Sequence, residues 1–212
     1  MPPKAKITKE MILNTVLEIT REIGFEAVNA RSIAGKLQCS TRPIFTCYEN
    51  MDQLKTDFLA FAYEFYEQYV ADYRDLAKIP LYLVLPLSYI DFAQTETHLF
   101  HLLFIHDMDL NMTKANDFYQ EADNEKKAEI FSKAIGIDLE RAKKIYLDLF
   151  LYTHGIAVLT ATKKLSFDRE NAEKMVMDVL TALIRQEIPD WNGSNGADGR
   201  RRSENENNPL FN

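Results

Sequence analysis

Glycine and proline are scarce in this chain, seven of each in 212 residues, which excludes a collagenous or largely unstructured polypeptide. Cysteine is scarcer still. Cys39 and Cys47 stand eight apart without a partner set of histidines, so there is neither a zinc pattern nor the density of a secreted disulfide scaffold. They read as two reduced thiols. Long apolar runs are also missing: the longest, Ile79 to Leu87, is broken by Pro80 and Pro86 and is far too short to span a bilayer. The opening residues Met1-Pro2-Pro3-Lys4-Ala5-Lys6 lead into a polar amphipathic stretch, with no apolar signal-peptide core. A cytoplasmic protein with no membrane partner is the expectation. No Gly-rich phosphate loop, Gly-x-Ser-x-Gly elbow, His-Glu-x-x-His or Cys-x-x-Cys occurs, so neither enzymatic activity nor a cofactor is expected.

What is present is an ordinary globular composition, 46% apolar and 27% charged, long enough for a sizeable core in one or two domains. Acidic side chains outnumber basic ones, 32 to 25, for a net charge of −7. Taken as a total, that argues against a nucleic-acid binder, whose surface should be basic. The distribution argues the other way. Residues 1–48 hold seven basic side chains (Lys4, Lys6, Lys9, Arg21, Arg31, Lys36, Arg42) and four acidic ones (Glu10, Glu18, Glu22, Glu26). The net is +3 there and −10 over the remaining 164 residues, the asymmetry expected when one end meets phosphate.

The periodicity is helical throughout, and no run alternates with the period of a strand, so the fold class is all-α. Ile12, Leu13, Val16, Leu17, Thr20 and Ile23 form a stripe over Thr8–Ile23, stopped by Gly24. Asn29 can cap a short second helix carrying Ile33, Ala34 and Leu37. Gln38-Cys39-Ser40 interrupts, and Ser40 can cap a third helix from Thr41 to about Cys47, with Ile44, Phe45 and Tyr48 as apolar contacts. Pro43 suits that helix's first turn but pushes Arg42 from α geometry, so a late start is possible. Asn50, with Gln53 in a capping box, opens a long helix whose stripe runs from Leu54 through Phe58, Phe65 and Val70 to Tyr73. Further helices are expected at about 80–94, 96–107, 113–135, 138–164 and 168–187, with a break at Gly136-Ile137-Asp138. Residues 189–212 are polar and almost free of core residues, the composition of a disordered tail.

The segment Asn29–Leu37, Gln38–Ser40, Thr41–Tyr48 has the layout of a helix-turn-helix, with Thr8–Ile23 completing a three-helix unit. Small polar groups on the second helix of the motif suit a major groove. Asn29, Arg31, Ser40, Thr41, Arg42, Thr46, Cys47 and Tyr48 are the candidate DNA-binding residues. Helical corners are common, however, and a helical protein–protein adaptor with a purely structural N-terminal corner is the alternative.

Over about residues 8–55 the run Ile12-Leu13, Val16-Leu17, Gly24-Phe25-Glu26-Ala27-Val28, Ile33-Ala34, Leu37, Ser40-Thr41, Ile44-Phe45, Tyr48 and Leu54 closely resembles the N-terminal domain of TetR-family transcriptional regulators. Beyond it the chain matches that family in layout, with Tyr152-Thr153-His154-Gly155 similar to a segment seen in several such C-terminal domains. Four positions depart from the family pattern. Gln38 stands for a turn glycine, Phe45 for a tyrosine that donates its hydroxyl to phosphate, Cys47 for a frequent histidine and Met51 for a frequent lysine. The resemblance implies a ligand-responsive repressor of a palindromic operator, partnered by double-stranded DNA, a small-molecule effector and a second copy of itself. The implied domains are 1–50 for DNA, 51–188 for effector and dimerisation, and 189–212 as tail, with the helix from Met51 as the lever between the first two. The last two long helices are the implied dimer contact; an apolar stripe suits an intramolecular hairpin as well.

Phe65, Tyr89, Phe92, Phe100, Phe104 and Met108 are the candidate effector-pocket residues, drawn from an aromatic-rich middle that fills an ordinary core equally well. His98 and His101 share a helical face with His106 and Asp107 or Asp109 nearby, but no third ligand is fixed and no metal site is expected. His154 is expected to pack in its helix before Gly155, where two helices can approach closely. Arg200-Arg201-Arg202 reads as a solvated run, and Trp191 either staples the tail or is exposed.

Overall fold

A helix begins where a side chain can satisfy its orphan N–H groups, and here Thr8 does so for α1 (Lys9–Ile23): its Oγ1 accepts from the Met11 N–H at 3.2 Å. The helix stops at Gly24, whose φ of +92° is strained for any residue with a Cβ. The computed structural model describes residues 7–106, 112–120, 123–166 and 168–191, and among them the regular structure is entirely helical. No helix among the described residues is long and apolar enough to cross a membrane. The chain packs as two compact units.

The first unit takes the chain up to Tyr69 and the stretch from Thr95. It contains α1, a 3-10 turn (Phe25–Ala27), α2 (Ala30–Lys36), α3 (Arg42–Cys47), the first part of α4 (Met51–Ala77), and α6 (Thr97–His101), which continues as a π-helical turn (Leu102–His106). Ile12, Val16, Ile33, Ile44, Leu54, Phe58, Leu99 and Leu103 form its fully buried interior. α1 packs on α2 and α6. The expected stripe of α1 holds at Ile12, Val16, Leu17 and Thr20, all buried, but Ile23 is 64% exposed because the helix stops there and the chain turns away at Gly24. The α4 box forms with a shift of one residue: Asn50 Oδ1 accepts from the Gln53 N–H, while Gln53 Oε1 accepts from the N–H of Glu49, both at 2.8 Å. The widened π turn keeps one carbonyl engaged, since Tyr63 Oη donates to Leu103 O at 3.1 Å.

The second unit takes Val70–Gln94 and the described residues from 112 onward. It contains the end of α4, α5 (Leu81–Thr95) up to Gln94, a 3-10 turn (Ala115–Gln120), α7 (Asn124–Ile135), α8 (Leu139–Ala161) and α9 (Arg169–Glu187). α8 packs against both α7 and α9, around Phe131, Ile145, Leu149, Val176, Leu180 and Ile184. The single helix expected at 113–135 is instead a 3-10 turn and then α7. Asp123, with φ of +56°, breaks the helical path, and Asn124 Nδ2 donates to Phe118 O at 2.9 Å. The break at 136–138 is where it was expected: Gly136 closes α7 at φ of +75°, and Asp138 Oδ1 caps α8 through the Arg141 N–H. Asp168 Oδ1 caps α9 through the Asn171 N–H at 2.8 Å. Trp191 is buried, edge-on to Tyr82 at 6.1 Å, and its carbonyl accepts from Arg185 Nε. The remainder of the expected tail, with Arg200–Arg202, lies outside the described residues.

Candidate nucleic-acid interface

The corner between α2 and α3 is built from two caps. Asn29 Oδ1 accepts from the N–H groups of Arg31 and Ser32, both at 3.0 Å, and Ser32 Oγ accepts in return from the Asn29 N–H at 3.0 Å. Asn29 Nδ2 donates to Ala27 O, so both ends of its amide serve the cap. α2 ends in a Schellman arrangement: the Gln38 N–H donates to Gly35 O at 3.2 Å and the Cys39 N–H to Ala34 O at 3.0 Å. The left-handed residue of that arrangement is Gln38 itself, at φ of +51°. The turn therefore tolerates its side chain at some cost in strain.

The expected Ser40 cap of α3 is not made. Thr41 is the capping residue, in helical geometry and without a side-chain hydrogen bond, and Pro43 lies in the first turn, where a missing N–H costs nothing. α3 turns Ile44 into the core and leaves Arg42, Phe45 and Thr46 exposed. Thr46 Oγ1 donates to Arg42 O at 3.0 Å, which fixes the hydroxyl rotamer. Ser40 is exposed, Thr41 and Cys47 are half-buried, and Cys47 Sγ lies 3.8 Å from Ile7 O.

Two aromatic assignments need correction. Phe45, expected inside, is 49% exposed. Tyr48, assigned to the groove-facing set, is buried and its hydroxyl has no hydrogen-bond partner. Lys9 Nζ sits 4.7 Å from the centre of its ring while pairing with Asp57 at 3.0 Å. Burial, followed by the nearby Asp57 carboxylate and Cys47, pushes the Tyr48 phenol up to about 12. Residue 48 closes α3 against the core, so its ring points the wrong way to meet DNA.

The basic surplus of this end is divided. Lys9 is held by Asp57, Lys36 by Glu22 at 2.7 Å and Glu18 at 3.4 Å, and Arg21 by Glu96. The guanidinium groups of Arg31 and Arg42 make no ion pair among the described residues, and both are exposed. Lys4 and Lys6 lie outside the described residues.

The candidate pocket residues are divided between the two units. Phe65, Phe100 and Phe104 belong to the first unit, where Phe104 lies 5.4 Å from Phe100 and meets Tyr66 edge-on at 4.9 Å, and Phe65 stacks under the Arg21 guanidinium at 5.5 Å. Tyr89 and Phe92 belong to the second and are buried there; Met108 lies outside the described residues. Tyr89 Oη and His154 Nδ1 share a hydrogen bond at 2.9 Å, and burial lowers the His154 pKa. The second unit has a cavity of about 30 Å³ walled by Val70, Tyr82, Leu85, Phe131, Tyr146 and Leu149, none of which is among the six candidate pocket residues. That is room for about one water molecule.

His98 is exposed and its Nδ1 lies 3.4 Å from where a Cβ on Gly24 would stand. The His101 and His106 rings are 6.1 Å apart. Asp107 and Asp109 lie outside the described residues, and among the described ones no group of three or more His, Cys, Asp or Glu could hold a metal ion. Gly155 faces open space among the described residues, with no atom within 4 Å of where a Cβ would stand. No family model matches the chain, and no curated protein sequence matches it.

Proposed function

We propose that the chain is a TetR-like, ligand-responsive transcriptional regulator, a repressor that leaves a palindromic operator when a small molecule binds. The observation that carries this reading is the contrast among the cations of the first unit. Lys9, Arg21 and Lys36 are neutralised by carboxylates, whereas Arg31 and Arg42 are exposed beside the corner formed by α2 and α3. On a short polar helix after a tight turn, an unpaired arginine can reach base edges or phosphates in a major groove.

A homodimer accompanies the proposal, because two recognition helices one DNA turn apart read a palindrome. Support comes from α8, which exposes Leu151 (52%) and Leu159 (46%) at i and i+8, with exposed Gly155 between them. Effector control is a population shift: a ligand that prefers a dimer with wrongly spaced recognition helices weakens operator binding. A drug-sized effector needs more room than the cavity of about 30 Å³ in the second unit offers.

Titration of labelled duplex DNA at two salt concentrations tests the reading. Binding that weakens steeply as salt rises is expected, since each phosphate contact releases counterions. Arg42→Ala should weaken operator binding by about 1–3 kcal/mol if Arg42 meets a base edge. Absence of any binding at low salt by a folded chain contradicts the proposal.

A further inference from the structure

We propose that Phe45 reads the 5-methyl group of a thymine in the major groove, an inference that rests on the DNA-binding reading above. α3 has six residues, and its inward face is taken by Ile44. Phe45, the next residue, is turned outward by one helical step, and no ring or cation packs on it among the described residues. Arg42, three residues earlier, shares its face, so a phosphate or guanine edge drawn to the guanidinium brings the Phe45 ring to the same stretch of groove. The ring has no donor or acceptor and cannot hold a phosphate or a base edge. The apolar feature that a duplex offers on the major-groove side is the thymine methyl group, the contact that an alanine, threonine methyl or phenylalanine makes there. Contact with sugar and phosphate alone would carry no sequence information. Phe45 is thus a specificity residue, with Arg42 supplying attraction.

The test uses the full chain and a duplex that it recovers from a random-sequence pool. Each thymine of one half-site is replaced in turn by deoxyuridine, which lacks only the methyl group. At one position the intact chain should lose about fourfold in affinity, the worth of one buried methyl-sized group. Phe45→Ala should bind the thymine and uracil duplexes equally. Phe45→Leu, which keeps apolar bulk and guards against a poorly folded alanine variant, should retain part of the preference. Three results overturn the inference and leave the regulator reading standing: a recovered half-site without thymine, no uracil effect at any position, or an undiminished uracil effect in both variants. Failure to recover any duplex overturns both.

Discussion

Arg21 grips Glu96 with two parallel hydrogen bonds, Nε to Oε2 at 2.7 Å and Nη2 to Oε1 at 2.6 Å, tying the last turn of α1 to the residue that precedes α6. Glu96 is only 9% exposed, whereas Arg21 is half in solvent, so the pair is unequal. The carboxylate raises the Arg21 pKa, chiefly through that hydrogen bond. Arg21→Ala leaves a buried carboxylate without its partner and should destabilise the chain by about 1–3 kcal/mol in chemical denaturation. Adding Glu96→Gln should recover part of that loss, because no buried charge remains; an equal or larger loss in the double variant would contradict the account.

Gln38 holds the left-handed position of the turn between α2 and α3, where a Cβ is strained. Gln38→Gly should raise stability by about 1 kcal/mol, the relief at the left-handed residue outweighing glycine's entropy in the unfolded chain. A midpoint that stays put or falls in denaturant unfolding would show that the Gln38 side chain contributes contacts that offset the strain.

Tyr48 presents a buried hydroxyl with no partner, and Tyr48→Phe should leave stability unchanged or raise it by up to about 1 kcal/mol. If the corner binds duplex DNA as proposed, the variant should keep the parent's affinity, since the ring is buried. The phenol titrates near 10 when unfolded and near 12 when folded, so folding favours its neutral form. Its contribution is complete below pH 10 and is lost as the pH rises toward 12. Alkaline unfolding of Tyr48→Phe should begin at higher pH than that of the parent.

Leu151 and Leu159 lie on one exposed face of α8 and bear no load in the core of their own unit. If the proposed dimer forms through this face, Leu151→Glu with Leu159→Glu should convert it to monomer in sedimentation while leaving the helical circular-dichroism signal intact. A dimer that persists would move the interface elsewhere on the chain.

Much of the helical layout was legible because capping is local. Gly24, Asn29 and Asp168 announce helix ends through side chains or backbone freedom that act within four residues. The break at Asp123 was not legible, since it uses neither glycine nor proline and is fixed by Asn124 reaching Phe118 O. The aromatic residues deceived for another reason. Phe45 and Tyr48 both fit an apolar helix pattern, and only tertiary packing decides that the tyrosine goes inside and the phenylalanine outside. The charge asymmetry pointed to the N-terminal end, yet the sequence could not show that three of its cations are held by Asp57, Glu22 and Glu96. The pocket residues were the least legible, because aromatic side chains that pack a core have the same composition as those that line a cavity.

The central claim is that two copies of this corner read DNA in successive turns of a major groove. The most direct measurement is selection of duplexes from a random-sequence pool by the full chain at moderate salt. The account predicts enrichment of a palindrome, with Arg42→Ala weakening the selected site by about 1–3 kcal/mol and removing preference at one position of each half-site. A folded, dimeric chain that enriches no sequence would contradict it.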